Sequence, residues 1–167
     1  MSYGSLSRPA VRALSRGAAL AGCYMNTGEG GLSPYHLEGN CDIIFQMGTA
    51  KYGCRDANGM LDEKKLAAIA ANPNVKMIEV KLAQGAKPGK GGILPGEKVT
   101  AEIAAIRGLR VGQDGISPNR HAGVDDWGDM LDLIGHIREV TGKPVGVKLV
   151  IGSEVGIAGL FDEIAKR

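Results

Sequence analysis

Val75-Lys-Met-Ile-Glu-Val-Lys-Leu82, followed after one residue by Gln84-Gly-Ala-Lys-Pro-Gly-Lys-Gly-Gly92, is the stretch on which the fold turns. The first half alternates apolar and polar side chains, the period of a β-strand. The second half is a glycine-rich, lysine-bearing loop, and beyond it Val99, Ile103 and Ile106 recur at helical spacing up to Gly108. A strand, a long loop and then a helix is the rhythm of repeated βα units around a parallel sheet. The same rhythm recurs on both sides. Asp42-Ile-Ile-Phe-Gln-Met47 reads as a short buried strand, and Asp62-Glu63 and Asn72-Pro73 bracket a helix that turns Leu66 and Ile69 inward. Downstream, Asp125-Asp126 opens a helix with Trp127, Met130, Leu131, Ile134 and Ile137 on one face, halted at Lys143-Pro144. Val145-Gly-Val-Lys-Leu-Val150 then reads as another buried strand, and a last helix from about Glu154 carries Ile157, Leu160, Phe161 and Ile164. At the amino end, Ser7 is expected to cap a helix with Pro9 in its first turn, Val11, Leu14, Ala18 and Ala21 along it, and Gly22 after it. In such folds chemistry sits at the carboxyl ends of strands, where the glycine-rich segments fall.

Composition narrows the classes. The chain has 167 residues, 44% of them hydrophobic and 23% charged, which suits one soluble globular unit with a core. Twenty Lys+Arg against eighteen Asp+Glu is too balanced for a dedicated nucleic-acid or membrane-surface protein. No apolar run approaches a membrane span, and Arg8 and Arg12 interrupt any signal-peptide core, so a cytoplasmic protein is expected. Three cysteines, Cys23, Cys41 and Cys54, with no CxxC pair, argue against a disulfide framework or a zinc site. Twenty-six glycines are about twice the usual share and imply backbone shaped for close approach to a ligand.

Five segments could carry chemistry. Asn26-Thr-Gly-Glu-Gly-Gly31 sets the carboxylate Glu29 among glycines; it fails the dinucleotide fingerprint, because Ser33 stands where glycine is required, and a tight turn with a solvated glutamate is the alternative. Gln84–Gly92 fails the Walker pattern, since Gly85 to Gly89-Lys90 is one residue short and Gly91 replaces Ser/Thr. What survives is an electropositive loop with free N–H groups for a carboxylate or phosphate, with Arg107 able to add a two-donor fork. Taken singly, Lys87, Lys90 and Arg107 each read as surface charges. Lys148 lies inside an apolar strand, which is costly unless the lysine is paired or used, or unless an edge strand points it at water. Gln46 is placed similarly near a strand end. His36, His121 and His136 show no metal-binding spacing; His136 reads as structural, and Ser117-Pro-Asn-Arg-His121 as a polar loop that flanks a ligand or merely the surface.

Together these segments resemble the FMN-binding synthase domain of glutamate synthases. The resemblance rests on Asn26–Gly31, Gln84–Gly89 with Gly91-Gly92, Leu94-Pro-Gly-Glu-Lys-Val99, Ile116-Ser-Pro118 and Val147-Lys-Leu-Val150. Met1–Ser7 and Phe45-Gln46…Lys51-Tyr-Gly53 fit it in order, so it runs over essentially the whole chain. It implies a flavin (β/α) barrel in which 2-oxoglutarate and ammonia form an imine that reduced FMN converts to L-glutamate. It implies Glu29 and Lys87 in catalysis, and Lys87, Arg107, Gly91 and Gly92 on the substrate. Ser5, Gln46, Gln84 and Lys148 are implied on the flavin, Lys148 at its pyrimidine edge. The departures are Ile93, where the family often carries Gln, and Asn119-Arg120-His121 in place of a two-histidine stretch. Neither the amidotransferase domain nor the cysteine-rich iron–sulfur segment is in the chain. About four or five of eight barrel strands are expected, so residues 1–167 read as the amino-terminal part of a partial barrel. Open sheet edges then predict a homo-oligomer or pairing with the rest of the barrel, with the ammonia source and electron donor elsewhere; the competing readings are a catalytically silent scaffold and an FMN barrel oxidoreductase acting on another 2-substituted acid.

Overall fold

The structure, a computed structural model, describes residues 1–82, 84 and 91–167. Four strands, β1 (Met25–Asn26), β2 (Ile43–Met47), β3 (Val75–Lys81) and β6 (Val145–Lys148), form one parallel sheet in the order β1-β2-β3-β6. Helices lie between them, so the molecule is mixed α/β with the layout of part of a β/α barrel, and the sheet is not closed. The crossovers carry α2 (Pro34–Leu37) and α3 (Glu63–Ala70), and then a longer excursion through β4 (Ile93–Leu94), α4 (Ala101–Arg107), β5 (Gly115–Ile116) and α5 (Trp127–Thr141). β4 and β5 pair antiparallel, and β1, α2 and β4 are too short to show any period in the sequence. The chain opens with α1 (Arg8–Leu20) and closes with α6 (Glu154–Ala165).

Register explains which face of the sheet is dry. Phe45 pairs with Ile78 and Ile78 with Val145, while Met47 pairs with Val80 and Val80 with Val147. These residues form apolar rows, and Phe45, Met47, Ile78 and Val80 are fully buried in one core with Leu66 of α3 and Ile137 of α5. The intervening rows are Gln46–Glu79–Gly146 and Lys81–Lys148. Because side chains alternate, these polar rows occupy the opposite face, the one a barrel would enclose.

The helix ends follow their local chemistry. Asp62 accepts from Lys65 N at 3.1 Å, Asp126 from Asp129 N at 2.9 Å, and Ser153 from Gly156 N at 3.1 Å. Gly108 and Gly142 stop α4 and α5 in the left-handed conformation, so α5 ends on Gly142 rather than at Lys143-Pro144. Three expectations change. Ser7 makes no side-chain cap, and α1 is anchored instead by buried Val11 and Ser15, with Leu14 exposed. Ser15 Oγ donates to His36 O at 2.7 Å and accepts from Gly39 N at 2.8 Å. Val145–Val150 is not a buried strand: it ends at Lys148, sits at the sheet edge, is only half-buried, and leaves Lys148 exposed to water. On α6 only Leu160 is buried, and Phe161 remains 63% exposed.

Candidate functional site

The site is assembled where the strands end. Glu29 stands just beyond β1, Gly48 just beyond β2, and Lys81 is the last residue of β3. Lys81 Nζ donates to Glu29 Oε2 at 3.0 Å and to Gln84 Oε1 at 2.9 Å. The Lys81 and Glu29 side chains are only 9% and 19% exposed, so this is a largely desolvated ion pair. Glycines make the room. A Cβ on Gly48 would lie 2.7 Å from Glu29 Oε2, and one on Gly92 would lie 2.4 Å from Glu29 Oε1. The carboxylate is thus gripped between the β2 loop and the Gly91-Gly92 segment, which leaves no space for any side chain there. At Gly48 and Gly92 the glycines serve close approach to one of the protein's own side chains.

Arg107, at the end of α4, is not a surface charge. It is 3% exposed, and its Nη2 donates to Ser2 Oγ and to Tyr3 O, each at 3.0 Å. Its guanidinium lies 5.1 Å from the centre of the Tyr52 ring, and Gly30 leaves space beside Nη2. Burial depresses its pKa, with Tyr52 and Glu29 pulling the other way. Arg107 Nε is buried with no hydrogen-bond partner among the described residues. The arginine is therefore poised beside the Glu29 loop, with a donor to spare.

The sheet's polar face continues the site inward. Gln46 is 4% exposed; its Nε2 donates to Glu79 Oε1 at 2.6 Å, and Asn26 Nδ2 donates to the same oxygen at 2.9 Å. Lys148 is on this face, paired in register with Lys81 but exposed. His121 is buried, with Nε2 2.9 Å from Lys81 O and Nδ1 without a partner among the described residues, and burial lowers its pKa. Thr49 Oγ1 donates to Pro118 O at 2.6 Å, tying the β2 loop to the Ser117–His121 segment.

The residues singled out in the sequence therefore divide. Glu29, Gln84, Gly92 and, through Ser117, Gly91 come together, with Arg107 behind and Gln46 on the adjoining face. Ser5 is exposed on the amino-terminal turn, apart from this cluster's contacts. Lys87 and Lys90 lie outside the described residues. Lys81, Glu79, Asn26 and Tyr52 were missed, although Glu79 and Lys81 are two residues apart in an alternating strand and so must share a face. His136 is structural in a limited sense: Nε2 meets Glu63 Oε1 at 2.9 Å, joining α5 to α3 at the surface. Cys54 is buried, which pushes its thiol up to about 12 and makes it unsuited to nucleophilic work. Among the described residues no group of three His, Cys, Asp or Glu could hold a metal, and no helix is long and apolar enough to cross a membrane.

Comparison with known proteins gives the chain's family. The family model described as "Conserved region in glutamate synthase" matches residues 1–166. The chain is 46% identical over 167 residues to the glutamate synthase large subunit-like protein YerD of Bacillus subtilis, covering 99% of this chain and 32% of that protein. It is 41% identical over 151 residues to an archaeal-type glutamate synthase [NADPH] of Thermotoga maritima, covering 89% of this chain and 27% of that protein. A similar match, 41% over 152 residues with the same coverage, is found to the archaeal glutamate synthase [NADPH] of Methanocaldococcus jannaschii. The chain spans about a third or less of the length of these relatives. It belongs to the glutamate synthase family.

Proposed function

We propose that this member of the glutamate synthase family contributes to an FMN-dependent oxidoreductase site that reduces the imine of 2-oxoglutarate and ammonia to L-glutamate. The observation that carries the reading is the Glu29–Lys81–Gln84 cluster at the carboxyl end of the sheet, backed by buried Arg107 and closed by Gly91-Gly92. It sets a carboxylate, an ammonium and a guanidinium around one glycine-lined spot, as an oxo acid and its developing amine require. The names of the relatives support the same activity.

The sheet's polar face suits a flavin. Gln46 keeps its Oε1 as an acceptor because its Nε2 is committed to Glu79, and Lys148 is exposed on the same face. Gln46, Lys148, Gln84 and Ser5 are the residues proposed to hold FMN, which when bound supplies the hydride. Arg107 Nε, Lys87 and the Gly91-Gly92 N–H groups are proposed to bind the oxo-acid carboxylates. Glu29 Oε1 is proposed to hold a proton at the substrate nitrogen, while Lys81 keeps Glu29 Oε2 occupied and its carboxylate oriented. The remaining barrel strands, an ammonia source and an electron donor belong, in this reading, to other segments or chains, and an iron–sulfur cluster is not carried by these residues.

Glutamate formation from 2-oxoglutarate and ammonium, measured on the full enzyme with a chemical electron donor, tests the reading. Arg107→Ala is expected to raise KM for the oxo acid roughly 30-fold or more while FMN content stays fixed, given about 2–5 kcal/mol for one desolvated charged contact. A flavin-loaded enzyme that forms no glutamate, or an Arg107→Ala enzyme with KM within twofold of the parent, overturns it.

A further inference from the structure

Between the loop that leaves β2 and the loop that leaves β5 is a cavity of about 380 Å³, walled in part by Thr49, Lys51, Arg55, Asn58, Pro118 and Arg120. Among the described residues that line it, three are cations and none is a carboxylate. Lys51 is only 4% exposed and is held at φ 53°, a conformation a lysine seldom adopts. That geometry is fixed by Lys51 N donating to Gly48 O at 2.9 Å and by Cys54 N donating to Lys51 O at 3.0 Å. Burial and the neighbouring Arg55 both depress the Lys51 ammonium, with Cys54 pulling the other way. Arg55 Nε is buried and lacks a hydrogen-bond partner among the described residues, and Gly59 makes room for the guanidinium, since a Cβ there would lie 2.6 Å from Nη2. Arg120 stands at the mouth, paired with exposed Asp125 at 2.6 Å.

An ammonium withdrawn from water beside a second cation, and an orphaned guanidinium N–H, are each costly unless something negative compensates them. Lys51 lines the cavity from the loop that holds it in this conformation, so the cost falls on a feature the fold holds in place. The cavity is separate from the cluster described above: Glu29, Lys81, Gln84 and Arg107 do not line it. Tyr52 connects the two, with Arg107 5.1 Å and Arg55 5.8 Å from its ring centre.

We propose that this cavity is a binding site for an oxyanion, a phosphate or carboxylate group of a small ligand, held by Lys51 Nζ and the Arg55 guanidinium. The inference stands independently of the oxo-acid reading, because it uses other residues and another cavity.

Calorimetric titration of the 167-residue chain at fixed chloride concentration tests it, with inorganic phosphate in one arm and malonate in the other. Saturable binding to the Lys51–Arg55 site is expected, told apart from any binding at Arg107 because Lys51→Met and Arg55→Gln each weaken it about tenfold or more, as loss of a charge-assisted contact demands. Arg120→Gln, at the exposed mouth, should weaken binding far less. The tighter of the two probes identifies the group as phosphate or carboxylate, and either result supports the site. Arg55→Lys keeps the charge but loses the planar fork, so it must also weaken binding, and it serves if Arg55→Gln fails to fold. Absence of saturable binding to the parent, or equal affinity in parent and variants for both probes, overturns the proposal.

Discussion

Replacing Lys81 by Met isolates the ion pair at the centre of the candidate site. Methionine is nearly the same length and keeps most of the packing, so the cavity contribution is small. What is lost is the ammonium and its two contacts, at 3.0 Å to Glu29 and 2.9 Å to Gln84. Gln84 can turn to water, but Glu29 is left as an unpaired carboxylate gripped between Gly48 and Gly92. Breaking a fully buried pair costs about 3–5 kcal/mol. Glu29 keeps 19% of its side chain exposed, which moves the expectation to about 2–3 kcal/mol. For a chain of this size that corresponds to a fall of roughly 4–12 °C in unfolding midpoint. Most of the cost belongs to the stranded charge, so adding Glu29→Gln should return a large part of it. The measurement is a double-mutant cycle by urea denaturation near neutral pH. A coupling of about 1.5–2 kcal/mol is expected, well above the ~0.3–0.5 kcal/mol within which independent sites add. If the two single changes simply add, the pair is not held as described, and Lys81 does not orient Glu29.

The other expectations concern close approach and burial. Gly39→Ala would put a Cβ 2.1 Å from Ser15 O, a backbone atom of α1 that cannot move alone, so it should destabilise by upwards of about 2 kcal/mol. Gly135→Ala, inside α5 with nothing within 4 Å of the new Cβ, should instead stabilise by about 0.5–1 kcal/mol, and thermal melts of both variants check the contrast. His36 and His121 are buried, and desolvation lowers both below the ordinary 6.5, so the unfolded chain takes up protons before the folded one does. Stability should therefore fall as the pH drops through about 6.5 and level off only below the folded values. Urea midpoints between about pH 7.5 and 5.5 that stay flat would contradict this, and His36→Gln should lessen the slope.

What the sequence made legible was the periodic part of the molecule. Ile43–Met47 and Val75–Lys81, and the helices built on Leu66, Ile103 and Ile137, have enough residues to show a period of 2 or 3.6. Met25–Asn26 and Ile93–Leu94 have two residues each, and only their partners in the sheet make them strands. Among the site residues, Glu29 and Gln84 were reached through the glycines and the family motif, and both take part in the cluster. Lys81 was hidden because alternation was used to name a strand and not to ask where its polar face goes. In a parallel sheet flanked by strands on both sides, that face has no solvent of its own to reach. β3 is such a strand, between β2 and β6, so Glu79 and Lys81 had to find partners, and they found Gln46, Asn26 and Glu29. Lys148 shows the converse. Its apolar neighbours suggested burial, but neighbours in sequence do not say which strands stand alongside. β6 has β3 on one side alone, so Lys148 can be inward-facing and wet at once. A lysine in that position needs no partner to be tolerated. Its tie to a ligand must rest on which face it shares, with Lys81 and Glu79, and not on any cost of burying it.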